Sequence, residues 1–206
     1  MLPLSFLSDY GRTDEFVGVC HGIVQRIAPG AVVVDLTHEI PRHDVRTGAL
    51  SLQNAIPYLP RGVHIAVVDP GVGGARRAVA LRARDGNLFV GPDNGLLWPA
   101  VDACGGVVEA ADIAQSPHRL EPVSATFHGR DLFAPVGAHL ALGATLEQTG
   151  RSLDPGTLEH LELPRSEVSE GRIRTRVVAV DTFGNLQLNL RTEDMRAAGF
   201  ALGDCL

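Results

Sequence analysis

LSFLSDYGRTDEFVGVCHGIVQRIAPGAVVVDLTH, residues 4–38, decides the reading of the fold. LSFLSD (4–9) has the length and apolar content of a short buried strand that ends in a carboxylate. EFVGVCHGIVQRI (15–27) then spaces its apolar residues as a helix does, with Phe16, Cys20, Ile23 and Ile27 on one face. Pro29 and Gly30 follow where such a helix should stop. AVVVDLTH (31–38) is a second strand. Strand, helix and strand in this order predict a parallel pair with a helix packed on its face.

The pattern extends outward. DVRTGALSLQNAI (44–56) predicts a second helix with Asp44 as its N-cap, and VHIAVVD (63–69) a third strand. ARRAVALRAR (75–84) and NLFVGP (87–92) are expected as strands joined through an Asp85-Gly86 turn. GLLWPAVDA (95–103) is a short helical piece. GRDLFAPVGAHLALG (129–143) is helical, with Pro135 either kinking it or ending its first part. Residues 144–171 are polar and serve as the passage to a second unit, and RIRTRVVAVDTF (172–183) alternates like one half-exposed strand. The expected class is α/β: a mainly parallel sheet flanked by helices over residues 1–164, then the start of a small C-terminal β unit over 165–206.

Composition narrows the function. The chain has 206 residues, 45% hydrophobic, which suffices for a sizeable core without staples. Its net charge is −6 and no basic run exceeds two residues, which argues against a nucleic-acid partner. Cys20, Cys104 and Cys205 are far apart and form neither a metal pair nor a disulfide framework; Cys20 is expected as a buried small hydrophobe. No window reaches the ~18 apolar residues of a membrane span. The start, MLPLSFLSDYG, lacks a basic region, so a cytoplasmic, reducing setting is expected.

Ligands of open α/β sheets lie beyond the carboxyl ends of the strands. Asp9, His38 and Asp69 end proposed strands, and Asp14 lies five residues after Asp9. Asp9 is either a ligand group or a turn former, and Asp14 either a ligand group or a helix-start residue. In VVDPGVGGARR, Asp69 ends a strand, three glycines allow close backbone approach, and Arg76 returns seven residues later. The two charges either serve a site or brace the turn as a structural pair. The loop lacks the Gly-Lys-Ser/Thr ending of a P-loop. TFHGRD supplies His128, either a catalytic group or a satisfied structural histidine. His38, His43, His64 and Asp35 are metal-ligand residue types, but without HxxxH or HExxH spacing no metal site is expected.

Six segments taken in order, SDYGRTDEFVGVCHGI, DLTHEIPRHDVRTGA, VVDPGVGGARR, FVGPDNGLLWP, TFHGRD and DTFGNLQLN, span residues 8 to 189. Together they resemble the S-adenosyl-L-methionine (SAM) hydroxide adenosyltransferases, adenosine-forming SAM hydrolases related to fluorinases and chlorinases. The resemblance implies in-line attack of water or hydroxide on the ribose C5′ of SAM, giving adenosine and L-methionine. It implies catalytic roles for Asp69, Arg76 and His128, and ribose binding by Asp9. Asp14 and Asp181 would lie near the methionine amino group, and Phe183 and Asn185 against adenine. His43 falls where the halogenating relatives carry a ribose-packing Trp. Asp69 stands in place of a Tyr of those relatives, and His128-Gly129 in place of Tyr-Ser, which disfavours a halide. Neither metal nor cofactor is implied, SAM being the substrate. A homotrimer with active sites between subunits is implied, with Asp69 and His128 from one chain and Phe183 and Asn185 from a neighbour. The family's C-terminal β-barrel has further strands, so the short C-terminus is expected to be a truncated or naturally short form. The competing readings are a halide adenosyltransferase, a non-catalytic adenosine or SAM binding module, and a metal-dependent phosphohydrolase.

Overall fold

The computed structural model describes residues 1–162 and 164–201, so Cys205 lies outside the described residues. The chain divides into two units, Met1–Leu161 and Glu162–Leu206.

The first unit opens as the alternation predicts: Leu4–Ser8 (β1), Phe16–Ile27 (α1), Val33–Thr37 (β2), Val45–Ala55 (α2) and Val63–Val67 (β3). Ala78–Ala83 (β4) and Leu88–Pro92 (β5) form the hairpin expected at Asp85-Gly86, where Gly86 takes a φ of 90°. Trp98–Ala103 (α3), Val107–Asp112 (β6), Ala134–Ala141 (α4), Leu146–Thr149 (α5) and Arg151–Leu153 (β7) complete it. The sheet order is β2-β1-β3-β5-β4-β6-β7. β2, β1, β3 and β5 run parallel, and β4, β6 and β7 add antiparallel pairs.

The two-residue period of the strands builds two cores, one on each face of the sheet. On β1 and β3, Leu4, Phe6, Val63, Ile65 and Val67 share one cluster with residues of α1 and α4. Leu7, Ala66 and Val68 face the other, with residues of α2 and α3. Both faces of β3 are therefore buried, and its sequence is apolar except for His64, whose ring is hydrogen-bonded to Ser5 and Asn87. Asp44 caps α2 as expected, accepting from the Thr47 N–H at 3.0 Å. Cys20 is buried and free.

Three details differ from the sequence reading. β6 and β7 were not anticipated: VVEAAD is short and acidic, and it is held as a strand by partners distant in the chain. The helix over 129–143 starts as a π-helical turn, Gly129–Phe133, and becomes α-helical only at Ala134. Pro135 lies in the first turn of α4, directly after that π-helical turn.

In the second unit, Glu167–Ser169 (β8) pairs with Arg172–Arg174 (β9), and Val177–Val180 (β10) with Leu186–Leu188 (β11). Thr192–Ala197 (α6) follows. The single strand expected over 172–183 is thus two. Asn189 Oδ1 accepts from the Thr175 hydroxyl at 2.6 Å and the Arg176 N–H at 2.7 Å, and that takes the backbone off the ladder between them. Among the described residues no helix is long and apolar enough to cross a membrane.

Candidate active site

β1 and β3 are parallel neighbours, so their carboxyl ends lie side by side. Asp9 and Asp69, each just past its strand, consequently share one rim; the Asp9 N–H still reaches the Val67 carbonyl at 3.3 Å. A cavity of about 390 Å³ opens there, lined by Asp9, Asp14 and Asp69 together with Tyr10, His43, Phe127 and Gly129.

The glycine-rich turn after Asp69 folds back closely. Gly73 takes a φ of 73°, and a Cβ on it would sit 2.2 Å from the Ala125 carbonyl oxygen. This close approach brings the turn against the segment that carries His128. Arg76 Nε donates to both Asp69 oxygens, at 2.9 and 3.0 Å, and Nη2 donates to Oδ2 as well. Nη2 also lies 2.7 Å from His128 Nδ1. Asp69, Arg76 and His128 thus form one chain of hydrogen bonds. The carboxylate is 5% exposed and the guanidinium 11%, so each charge depends on the other.

Arginine has no acceptor, so His128 Nδ1 must be the accepting nitrogen, and in the neutral ring Nε2 carries the hydrogen. Burial and the adjacent Arg76 charge push the His128 pKa down, which favours that neutral form. The ring is therefore a donor through Nε2, with its basic lone pair already engaged.

The segment holding His128 is pinned by Asp131, a residue the sequence offered only as part of TFHGRD. Its buried carboxylate accepts from the Ser124 N–H at 2.8 Å and from Arg130 Nε at 2.6 Å. Its carbonyl accepts from Leu120 N–H at 2.7 Å. The sequence signal for this role was a carboxylate two residues after a glycine, which spacing alone does not distinguish from a surface charge.

Asp9 Oδ2 accepts from the His43 N–H at 2.9 Å. His43 makes that bond at a φ of 65°, a left-handed conformation costly for a non-glycine residue. His43 therefore positions Asp9 through its backbone. Tyr10, Phe16 and Phe127 form an aromatic wall with edge-to-face and tilted contacts at 5.0 to 6.0 Å, a feature the sequence reading missed. Burial, and then the negative charges of nearby groups including Asp9 and Asp69, push the Tyr10 pKa well up, so its phenol stays a donor.

Asp181, Phe183 and Asn185 occur together in the turn between β10 and β11. Asp181 accepts from the backbone N–H groups of Phe183 and Asn185 at 2.9 and 2.8 Å, and from the Asn185 amide at 2.7 Å. The Asp181 carboxylate builds its own turn, and the Phe183 ring is 89% exposed.

The profile of the SAM hydroxide adenosyltransferase N-terminal domain matches residues 4–150. A protein of Salinispora tropica named (R)-S-adenosyl-L-methionine hydrolase is 52% identical over 90% of this chain and 70% of its own length. One of the same name from Thermus thermophilus is 44% identical over 90% and 73%. A fluorinase of Actinoplanes is more distant, at 31% over 95% and 74%. The crystal structure of an uncharacterized conserved protein from Thermotoga maritima superposes with a TM-score of 0.89 at 34% identity, covering 98% of this chain and 76% of that one. Strand-end acids, the glycine-rich turn and these relatives converge: the chain belongs to the SAM hydroxide adenosyltransferase family.

Proposed function

We propose that this protein hydrolyses SAM to adenosine and L-methionine by in-line attack of water on the ribose C5′. The observation that carries the proposal is that Asp69, which lines the same cavity as Asp9, is hydrogen-bonded through Arg76 to His128. SAM leaves its methionine as a neutral thioether, so no general acid is needed. What is needed is an oxygen aligned with the C5′–S bond, and such positioning contributes about 7–11 kcal/mol in favourable cases. Asp69 faces the cavity and accepts a hydrogen bond from the water. His128 donates through Nε2 and steadies the oxygen, and Arg76 fixes both partners. With the His128 lone pair engaged, Asp69 is the group left to take the proton. Asp9, held by His43, binds the ribose hydroxyls. Asp14 takes the methionine end. The step uses no metal and no cofactor, and the Asp69 charge repels a halide.

The working unit in this proposal is a homotrimer whose neighbouring copy supplies Phe183 and Asn185 to adenine and Asp181 to the methionine amino group. The exposed Val177, Val180, Phe183 and Leu186 of the second unit are apolar surface suited to such a contact. A cytoplasmic setting accords with the free, buried Cys20 and Cys104.

Chromatography of SAM incubated with the protein and chloride should show adenosine and methionine in equal amounts. 5′-Chloro-5′-deoxyadenosine in their place would establish a halide transferase, and tight binding without turnover a binding module. Asp69→Asn should lower kcat by about 10²–10⁴-fold with little change in KM. Unchanged turnover in that variant would remove Asp69 from the mechanism. Co-refolding inactive Asp69→Asn with Phe183→Ala should regain activity if the sites are shared between copies.

A further inference from the structure

On the α1 side of β1 three ligand-type side chains converge, and one of them, His38, also lines the cavity described above. His21 comes from α1, Asp35 from β2, and His38 from the residue after β2. Asp35 Oδ1 lies 2.8 Å from His21 Nε2 and 3.0 Å from His38 Nε2, and the three ligand atoms all fall within 4.8 Å of one another. A metal about 2.0–2.1 Å from nitrogen and oxygen ligands spaces neighbouring ligand atoms roughly 2.9–3.4 Å apart. The two distances from Asp35 Oδ1 are already near that spacing.

A second observation singles out His38. Its side chain is 1% exposed, and its Nε2 is buried with no partner in hydrogen-bonding alignment, although Asp35 is close. Buried imidazole nitrogens are ordinarily satisfied. The other nitrogen is fixed: Nδ1 meets the buried Ser8 hydroxyl at 2.7 Å. A ligating histidine typically has its remaining ring nitrogen held in this way. The Phe6 ring packs against both imidazoles, at 4.7 Å from His38 and 6.3 Å from His21, and limits their rotation. His21 and Asp35 are each 32% exposed, which leaves an entry path and an open coordination position.

We propose that His21, Asp35 and His38 bind one divalent transition ion of the zinc class, with solvent in the fourth position. Two imidazoles and one carboxylate suit zinc or cobalt and not the all-oxygen preference of magnesium or calcium. The ion would tie α1 to the end of β2 and brace the chain that runs on to His43. The absence of HxxxH spacing does not bear on such a site, because a helix and a strand assemble it.

Protein freed of metal by a chelator and then of the chelator would be titrated with Zn(II) by calorimetry and with Co(II) by visible absorption. One equivalent should bind per chain, raise the melting temperature, and resist competition by millimolar Mg(II). His21→Ala and Asp35→Ala, at partly exposed positions, should each weaken binding at least about 10-fold and abolish the zinc-dependent rise in melting temperature. His21→Gln serves if His21→Ala fails to fold. Unaltered affinity in these variants, or no saturable binding up to millimolar zinc, would leave Asp35 as a hydrogen-bond bridge between two histidines and overturn the proposal.

Discussion

At position 129 a side chain is missing because Tyr10 occupies its place. A Cβ on Gly129 would sit 2.1 Å from the Tyr10 hydroxyl and 3.0 Å from Cζ. The phenol ring is rigid, so any residue larger than glycine must swing it out of the cavity wall. Gly129→Ala should lower kcat/KM roughly 100-fold, the scale of an ångström-level misplacement in a site. The fold should persist, and adding Tyr10→Phe, which removes the closest atom, should recover part of the loss. Normal kinetics in Gly129→Ala would show that Tyr10 is free to move. This coupling also explains what was legible. Asp69 and Arg76 stand in one motif seven residues apart, so their pairing was visible in the sequence as one of two readings. Tyr10 and Gly129 are each unremarkable alone, and their relation exists only after folding.

Elements show the same division. Runs such as VHIAVV declare themselves because burial on both faces leaves apolar residues at every position but His64. VVEAAD does not, since its strand state comes from β4 and β7, which local propensity cannot see. Nor does a sequence reveal that the helix after His128 begins as a π-turn, a geometry that tertiary packing imposes. The join between α4 and β3 is similarly hidden. Gly137 lets the helix approach so closely that a Cβ there would meet Ile65 Cδ1 at 2.6 Å and Cγ1 at 2.9 Å. Gly137→Val should therefore destabilise the protein by about 1–3 kcal/mol through overpacking, despite valine's extra apolar surface. Urea midpoints of the two proteins provide the measure. An equal or higher midpoint in the variant would mean that α4 shifts without cost.

On the scale of the whole molecule, the buried polar spine beneath the sheet sets a response to acid. His64 Nε2 donates to Asn87 Oδ1 at 3.0 Å, and Nδ1 accepts from the Ser5 hydroxyl at 2.8 Å. Both nitrogens of the neutral ring are satisfied. Burial pushes its pKa below 6.5, with the Asn87 bond and the Asp85 charge opposing. The unfolded chain therefore takes up a proton that the folded one refuses. This contribution is complete above about pH 6.5 and declines as pH falls below it, by up to about 1.4 kcal/mol per pH unit. His128 and His139 shift in the same direction and add to the trend. His64→Gln keeps an amide donor for Asn87 and cannot titrate, so it should lose less stability than the parent between pH 7.5 and 5.5 in denaturant titrations. Equal losses would exclude His64 as a source. The cavity has an electrostatic consequence of its own. Asp9, Asp14, Glu39 and Asp69 line it, against Arg42 on the wall and Arg76 behind Asp69. Under the proposed reaction the incoming molecule carries a sulfonium, while adenosine and the methionine thioether carry none. The part of the acids' attraction that acts on the sulfonium ends when the C5′–S bond breaks, so bond cleavage itself weakens the hold on the products.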